Sequence, residues 1–192
     1  LMPIGRFTKD QVREKAKELG LNVANKPDSQ EICFVEDNDY SRFIAENTDS
    51  EIKPGEFVDT HGNVLGRHNG IINYTVGQRK GLGIALGKPM YVTRIDAENN
   101  RVVLGEEKEV FSRSLTATDL NFISIEKLDG EMRVKAKIRY SAKEADATIR
   151  PEEGGKVSVY FDEPQRAITP GQAVVFYDGD IVVGGGTIEE AK

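Results

Sequence analysis

The amino-acid sequence predicts a mainly β protein with an α+β segment at its N-terminus. Helix signals are confined to residues 8–46 of the 192-residue chain. Two hairpin patterns follow, and after them come about six short apolar strands at regular spacing, without any helix signal. Spacing of this kind is typical of a small antiparallel barrel. We therefore predict a central β-rich domain followed by an antiparallel six-stranded β-barrel.

The N-terminal segment, expected over 1–45 as the tail of a domain that begins before this sequence, contains two helix patterns. Thr8 and Gln11 stand at the spacing of a capping box, and Gly20 provides a stop signal. A polar loop and a short apolar run over 32–35 separate this helix from a second one, which we expect over 39–46.

The central region, expected to form a domain over 46–110, carries two hairpin signals. The first is centred on the turn residues 60–63 and the second on 96–100, each between short apolar runs. The barrel domain is expected over 111–192. Its predicted strands cover 115–125, 132–140, 145–149, 156–161, 173–177 and 181–188.

Positive charge is concentrated in one window of an acidic chain. The formal net charge is −6, yet residues 60–95 contain no Asp or Glu and five Lys or Arg. The same window is dense in glycine, which lets backbone N–H groups approach a ligand closely. Local charge of this kind favours contact with phosphate or RNA, and a solvated basic loop is the alternative. The candidate contact residues are Arg67, His68, Arg79 and Lys80.

A second set of cations lies on the predicted strand 132–140. Arg133, Lys135, Lys137 and Arg139 alternate with apolar residues, so the two-residue period of a strand places them on one face. Four like charges repel one another, and a polyanion would relieve that repulsion. Tyr140 adds a ring suited to stacking on RNA. The alternative is an ordinary solvated face of a barrel strand.

Cys33 is the single cysteine. Its position between Ile32 and Phe34 fits a buried core residue, whereas the polar loop before it fits a nucleophile or sulfur carrier at the edge of a site. One cysteine cannot form an internal disulfide, and the sequence has neither a long apolar run nor a secretory pattern. We therefore expect a cytoplasmic protein without membrane association.

Two other kinds of site are not predicted. The glycines of 81–87 are followed by Pro89 and a β-like run, whereas a dinucleotide-binding motif must open a helix. A P-loop is excluded because the sequence contains no Gly-Lys-Ser or Gly-Lys-Thr. His61 and His68 with one cysteine are too few ligands at suitable spacing for a metal site.

Several separated strings resemble the bacterial tRNA-specific 2-thiouridylases. Residues 28–34 resemble the segment that carries the second catalytic cysteine of that family, and residues 66–83 its central-domain signature. Residues 139–140 and 167–172 resemble its C-terminal tRNA-contacting motifs. The resemblance covers essentially the whole chain, and several motifs in the right order are more specific than any one alone.

The resemblance implies a reaction and the residues that serve it. ATP with Mg²⁺ adenylates the C2 oxygen of the wobble uridine, and a persulfide sulfur then displaces AMP to give 2-thiouridine. Cys33 would carry that persulfide after receiving it from an upstream sulfur-relay protein, and Arg139, Tyr140 and Gln172 would contact tRNA. The resemblance also implies an N-terminal ATP-pyrophosphatase domain, a central domain and a barrel like domain 2 of elongation factor Tu.

The sequence departs from this family at its N-terminal side. It begins at Leu1, and neither the family's ATP-binding Ser-Gly-Gly-x-Asp-Ser loop nor its first catalytic cysteine occurs in it. We therefore expect the chain by itself to lack thiolation activity until the missing N-terminal half is supplied. The alternatives are a non-catalytic RNA-binding module built on a translation-factor-like barrel, for which Cys33 is dispensable, and a plain structural β protein.

Overall fold

The computed structural model describes residues 3–26, 35, 40–48 and 52–192. The chain divides into two compact units, Leu1–Thr48 and Asp49–Lys192. Among the helices in the described part of the chain, none is long and apolar enough to cross a membrane. The boundaries predicted from the sequence, 1–45, 46–110 and 111–192, stay a prediction.

The first unit contains two short helices. Helix α1 spans Lys9–Glu18, and the predicted capping box is confirmed: the Thr8 N–H donates to Oε1 of Gln11 at 2.9 Å and the Gln11 N–H donates to Oγ1 of Thr8 at 3.4 Å. Gly20 follows at φ 66°, as expected for a helix stop. Helix α2 spans Tyr40–Glu46.

The second unit begins with a four-stranded sheet made of the two predicted hairpins. Its strands are β1 (Gly55–Asp59), β2 (Val64–His68), β3 (Tyr91–Asp96) and β4 (Arg101–Gly105). The strand order is β2-β1-β4-β3, with antiparallel pairing inside each hairpin and parallel pairing of β1 with β4. The hairpin signals did not predict this parallel contact, because turn residues specify only the pairing of the two strands they join.

The glycine-rich stretch connects β2 at one edge of this sheet to β3 at the other. It contains a short 3₁₀ helix, Ile71–Asn73. Its Leu82 is buried against the core of the sheet, which consists of Phe57, Val92, Val102 and Leu104. The basic window therefore has a second role, since its apolar residues complete the core of a sheet too small to bury a face alone.

The six predicted barrel strands are confirmed as a closed antiparallel barrel. Their order around the barrel is β10-β5-β8-β7-β6-β9, and they are β5 (Phe111–Phe122), β6 (Met132–Lys137), β7 (Ala145–Glu152), β8 (Lys156–Arg166), β9 (Ala173–Asp178) and β10 (Ile181–Ala191).

Several strand ends differ from the prediction. Strand β5 spans Phe111–Phe122 rather than 115–125, β7 ends at Glu152 rather than at 149, β9 at Asp178 rather than at 177 and β10 at Ala191 rather than at 188. Two further differences, in β6 and β8, follow from strand pairing. Strand β6 ends at Lys137 rather than at 140, because its pairing with β9 stops at Lys137 opposite Val175 and a turn follows. Strand β8 continues to Arg166 rather than ending at 161, because its polar extension pairs with the start of β5, with Arg166 opposite Phe111. The low apolar content of this extension hid it from a reading based on hydrophobicity.

Candidate nucleic-acid interface

Three of the predicted tRNA-contact residues line one pocket at the end of strand β6. Its volume is about 230 Å³. The antiparallel pairing of β6 with β9 brings the residues after Lys137 alongside the residues before Val175, although the two segments are far apart in sequence. The pocket lining consists of Lys137, Arg139, Tyr140, Gln172, Ala173, Val175 and Tyr177. The sequence predicted Lys137 only as part of an alternating cationic face and Tyr177 only as a strand residue, so neither was predicted to line this pocket.

Tyr140 is the most open aromatic residue of this pocket. Its side chain is 98% exposed. The Lys137 ammonium lies 5.8 Å from the centre of the ring, which is within cation–π distance. Both ring and charge are therefore accessible side by side, an arrangement that suits a base stacked on Tyr140 and a phosphate near Lys137.

Arg139 and Gln172 are held in place through their backbone surroundings. The half-buried Arg139 donates from Nη2 to the carbonyl oxygen of Arg166. The Gln172 N–H donates to the Thr169 carbonyl at 3.2 Å, and the Gln172 carbonyl accepts from the Ile188 N–H at 2.8 Å. The exposed side chain of Gln172 therefore projects from a fixed backbone position at the pocket.

Two of the four cations predicted on the alternating face have carboxylate partners, so they do not need a polyanion to offset their charge. Arg133 donates from both terminal nitrogens to Asp162, at 2.8 Å each, and this bond lowers the pKa of the Asp162 carboxyl. The Lys135 ammonium lies 3.1 Å from Glu144. Within the described residues, no carboxylate lies at ion-pair distance from Lys137. Uncompensated positive charge is therefore concentrated at the Tyr140 end of the strand.

Arg79 and Lys80 lie on the loop that crosses the central sheet, and both are exposed. The side chain of Gln78 fixes the loop, because its Oε1 accepts from the Thr75 N–H at 2.9 Å and its Nε2 donates to the Lys80 carbonyl at 3.1 Å. The guanidinium carbon of Arg79 lies 5.9 Å from the centre of the Tyr91 ring. The loop thus presents two adjacent cations from a defined backbone.

Lys88 belongs to the same basic window but is compensated. Its ammonium donates to Glu106 at 2.9 Å. This hydrogen bond raises the pKa of Lys88 and lowers the pKa of Glu106. The sequence window counted Lys88 as a free charge because its partner lies outside the window.

Arg67 and His68 lie on edge strand β2, where their two side chains differ. Arg67 is exposed, whereas His68 is only 2% exposed and packs with Phe57 and Tyr74 at ring-centre distances of 5.4 and 5.5 Å. Burial lowers the pKa of His68; the nearby Asn100 carbonyl opposes this, although its geometry falls short of a hydrogen bond. Direct contact of His68 with RNA would require the imidazole to leave this cluster.

Two further sequence interpretations concern Cys33 and metal binding. Cys33 lies outside the described residues, so its predicted role stays a prediction. Among the residues that the structure does describe, no group of three or more His, Cys, Asp or Glu side chains is arranged to hold a metal ion.

Three domain families match consecutive parts of the chain. Residues 1–37 match the tRNA methyl transferase HUP domain, and residues 41–106 match the tRNA methyl transferase PRC-barrel domain. Residues 112–188 match the aminomethyltransferase beta-barrel domain.

Curated relatives match nearly the whole chain. It is 79% identical to the tRNA-specific 2-thiouridylase MnmA of Acetivibrio thermocellus over 189 residues, which is 98% of this chain and 53% of that protein. Its identity to the tRNA-specific 2-thiouridylase MnmA 1 of Thermoanaerobacter sp. strain X514 is 71%, over 98% of this chain and 52% of that protein. Its identity to the tRNA-specific 2-thiouridylase MnmA of Clostridium perfringens strain 13 is 59%, over 98% of this chain and 53% of that protein. The chain spans about half the length of the curated relatives it matches. With identity this high over nearly all of its residues, the chain belongs to the tRNA-specific 2-thiouridylase family.

Proposed function

We propose that this chain is the tRNA-binding and sulfur-carrying portion of an enzyme that 2-thiolates the wobble uridine of tRNA. The observation that supports it most is the pocket that gathers Arg139, Tyr140 and Gln172 at the end of β6. The names of the high-identity relatives supply the substrate class and the reaction.

The barrel pocket offers the two kinds of contact that RNA needs. Arg139 and Lys137 supply positive charge for phosphate oxygens, and the open ring of Tyr140 supplies a stacking surface. The exposed amide of Gln172 adds donors and acceptors for a base edge or a ribose hydroxyl. The ion pairs of Arg133 and Lys135 offset their positive charge, so the rest of the strand attracts a polyanion less strongly than its Tyr140 end. Binding is therefore directed to that end.

The central loop provides a second contact surface for the same tRNA. Arg79 and Lys80 are adjacent and exposed on a braced loop, and Arg67 is exposed on strand β2. His68 supports this surface from behind by packing against Phe57. A net charge of −6 is compatible with RNA binding, because affinity comes from local neutralisation of phosphates and acidic surfaces elsewhere disfavour unspecific binding.

The chemical role of the chain rests on Cys33. In the whole protein, ATP with Mg²⁺ supplies activation of the uridine C2 oxygen by adenylation; we assign its site to the half of the relatives that this chain does not span. A sulfur nucleophile then attacks C2, and the activated oxygen leaves with AMP. Cys33 delivers that sulfur as the terminal sulfur of a persulfide, which it receives by exchange with an upstream sulfur-relay protein whose own thiol is released. After the sulfur is bound to C2 and AMP has left, the thiolate of the family's first catalytic cysteine, which this sequence does not contain, attacks the sulfur of Cys33. The S–S bond breaks, 2-thiouridine is released, and the two cysteines are left as a disulfide that an external thiol reduces. A thiol acts as its thiolate, so Cys33 needs an electropositive and accessible setting during transfer.

The remaining parts of the proposal concern organisation. The three predicted segments, 1–45, 46–110 and 111–192, divide the work into sulfur transfer, central contact and barrel contact. The single cysteine favours a reducing cytoplasm. The chain by itself is proposed to bind tRNA without thiolating it.

The test compares Cys33 with Cys33→Ser in the full-length protein. We expect 2-thiouridine formation in an unmodified tRNA transcript to be lost while tRNA binding is retained. Full thiolation by the Ser variant would refute the sulfur-carrying role and leave the non-catalytic RNA-binding module as the reading. Failure of the unaltered protein to bind tRNA at low salt would refute both.

A further inference from the structure

The central sheet and the barrel meet in a small buried cluster. Tyr91 of β3, Val110 and Ala167 are 7%, 4% and 3% exposed, respectively, and Val76 packs against them. The Ala167 N–H donates to the Val110 carbonyl at 2.8 Å. Ala167 directly follows strand β8, and Val110 directly precedes strand β5. This hydrogen bond therefore joins the end of β8 to the segment that leads into the barrel.

Arg166 contacts both proposed RNA-binding surfaces. On the central side, its Nη2 donates to the Gly77 carbonyl at 3.1 Å. Its guanidinium carbon lies 5.7 Å from the centre of the Tyr91 ring, which Arg79 also approaches, at 5.9 Å. On the barrel side, its carbonyl oxygen accepts the hydrogen bond from Arg139. A continuous set of contacts therefore joins Arg79 to Arg139 through Tyr91 and Arg166.

The backbone at this junction adopts conformations that need support. Ala167 has φ 55°, a left-handed backbone conformation that residues other than glycine rarely adopt. Gly77 has φ 87°, and a Cβ placed there would lie 2.7 Å from the Cβ of Ala167. Such conformations persist where surrounding contacts determine them, and they are concentrated at sites with a functional demand on geometry. The close approach of Gly77 to Ala167 is what allows Arg166 to reach the Gly77 carbonyl.

We propose that Arg166 is a positioning residue, which holds the central loop at a fixed separation from the barrel pocket so that one tRNA engages both. This inference rests on the proposed function, because it requires both surfaces to bind the same tRNA. Two surfaces on a rigid frame bind jointly with a high effective concentration, and a loosened joint lowers that concentration without removing any RNA contact. Arg166 itself needs no contact with RNA for this effect.

The variant that isolates this role is Arg166→Met. Methionine keeps an unbranched apolar stem over Tyr91 but loses the bond to Gly77. The matched control is Arg150→Met, because Arg150 also lies over a tyrosine, 5.2 Å from the centre of the Tyr160 ring, but within the barrel. Thermal unfolding of both variants shows whether either change simply unfolds the chain.

The first measurement is the affinity of the 192-residue chain for an unmodified tRNA transcript, with Lys80→Ala introduced into three backgrounds. In the unaltered and Arg150→Met backgrounds, we expect loss of the Lys80 phosphate contact to raise Kd about fivefold. In the Arg166→Met background, we expect a rise of less than about twofold, because the loosened loop contributes little to start with. Equal effects of Lys80→Ala in all three backgrounds would overturn the inference and leave the proposed function intact.

The second measurement does not involve RNA. Spin labels at Glu98→Cys in the central sheet and Asp180→Cys in the barrel, with Cys33→Ser, report the distribution of distances between the two. Both positions are exposed turn residues. We expect Arg166→Met to broaden this distribution and Arg150→Met to leave it unchanged. An unchanged width in a folded Arg166→Met variant would overturn the inference, whereas failure of the unaltered chain to bind tRNA would overturn the proposed function and the RNA role of the junction.

Discussion

The central sheet and the barrel hold their predicted RNA-contact residues in different ways. In the barrel, two neighbouring strand ends bring Arg139, Tyr140 and Gln172 into one pocket. In the central sheet, Arg67 lies on one edge strand, whereas Arg79 approaches Tyr91 on the opposite edge. The barrel residues thus form one compact site, while the central residues are spread across a surface.

This difference follows from how each region is closed. Every strand of the barrel has two neighbours, so the register is fixed around the whole circuit and residues distant in sequence meet at defined positions. The sheet is not closed, since β2 and β3 are edge strands, and it depends on its crossing loop, which bonds to Val92 of β3 through the backbone and covers the core with Leu82. The same loop carries Arg79 and Lys80. RNA contact by the central surface therefore depends on the stability of the sheet. RNA contact by the barrel pocket depends on the barrel and not on the sheet.

The largest expected effect tests this coupling by comparing Phe57→Ala with Phe176→Ala. Both side chains are fully buried, and removing a buried phenyl ring costs about 3–5 kcal/mol of unfolding free energy. Among the described residues, the sheet core has five buried members and the barrel core fifteen. We expect Phe57→Ala to expose strands β1–β4 to hydrogen exchange and to impair tRNA binding through the central loop, while β5–β10 stay protected.

The contrary result would be informative. If Phe57→Ala abolished protection in the barrel to the same extent as in the sheet, the two regions would unfold as one cooperative unit. The contrast between a dependent surface and an independent pocket would then be wrong. Mass-spectrometric exchange of peptides from each strand distinguishes the two results.

The sequence predicted the local elements of this fold well, because their causes are local. Thr8 and Gln11 cap a helix through contacts three residues apart, and turn residues join adjacent strands. The parallel pairing of β1 with β4 was not predicted, since the two strands belong to different hairpins and no short-range signal connects them. The polar end of β8, up to Arg166, was missed for a similar reason, because its partner on β5 is distant in sequence.

The candidate site was predicted only as far as one strand can reveal it. Alternation placed Arg133, Lys135 and Lys137 on one face, which is a property of a single strand. Whether each cation is neutralised depends on a neighbour across the sheet, such as Asp162 beside Arg133. His68 shows the same limit, because a basic window favours an exposed histidine and the aromatic cluster that buries it is formed by β1 and the crossing loop.

The second prediction concerns Tyr140, the open ring of the barrel pocket. We expect Tyr140→Ala to weaken tRNA binding by about 1–3 kcal/mol, the value of stacking on one base. The salt dependence of binding should stay unchanged, because no charge is removed. Titration of tRNA at several salt concentrations measures both quantities. Tyr160→Ala is the matched control, since Tyr160 is 44% exposed on the barrel but lies under Arg150 rather than at the pocket. Equal losses for the two variants would remove the stacking role.

The third prediction compares two cations on the same strand. Lys137→Ala should weaken tRNA binding and reduce the slope of log affinity against log salt by about one unit, as expected for a lost phosphate contact. Lys135→Ala should change the slope little, because Glu144 already compensates Lys135 at 3.1 Å. Identical slopes for the two variants would mean that the barrel binds RNA along the whole strand, contrary to the compact site described above.

The smallest expected effect concerns His68 and the stability of the central sheet. Burial lowers the pKa of His68 below 6.5, aided by the charge of Arg67. As pH falls through 6.5, the unfolded chain takes up a proton at this position before the folded chain does, so the free energy of unfolding decreases. The decrease continues until the pH reaches the folded pKa. Stabilisation by the neutral imidazole is therefore present above pH 6.5 and lost below it.

Denaturant unfolding between pH 5 and 7.5 measures this dependence. This pH range lies above the lowered pKa values of Asp59 and Asp162, which are below 3.8. We expect His68→Gln to flatten the dependence, because glutamine can accept the Gly70 N–H that now donates to Nδ1 at 3.0 Å but does not titrate. His61→Gln should leave the dependence in place, since the His61 side chain is exposed. If His61→Gln flattened the curve and His68→Gln did not, the buried imidazole would have no part in setting the stability of the sheet that presents Arg79 and Lys80.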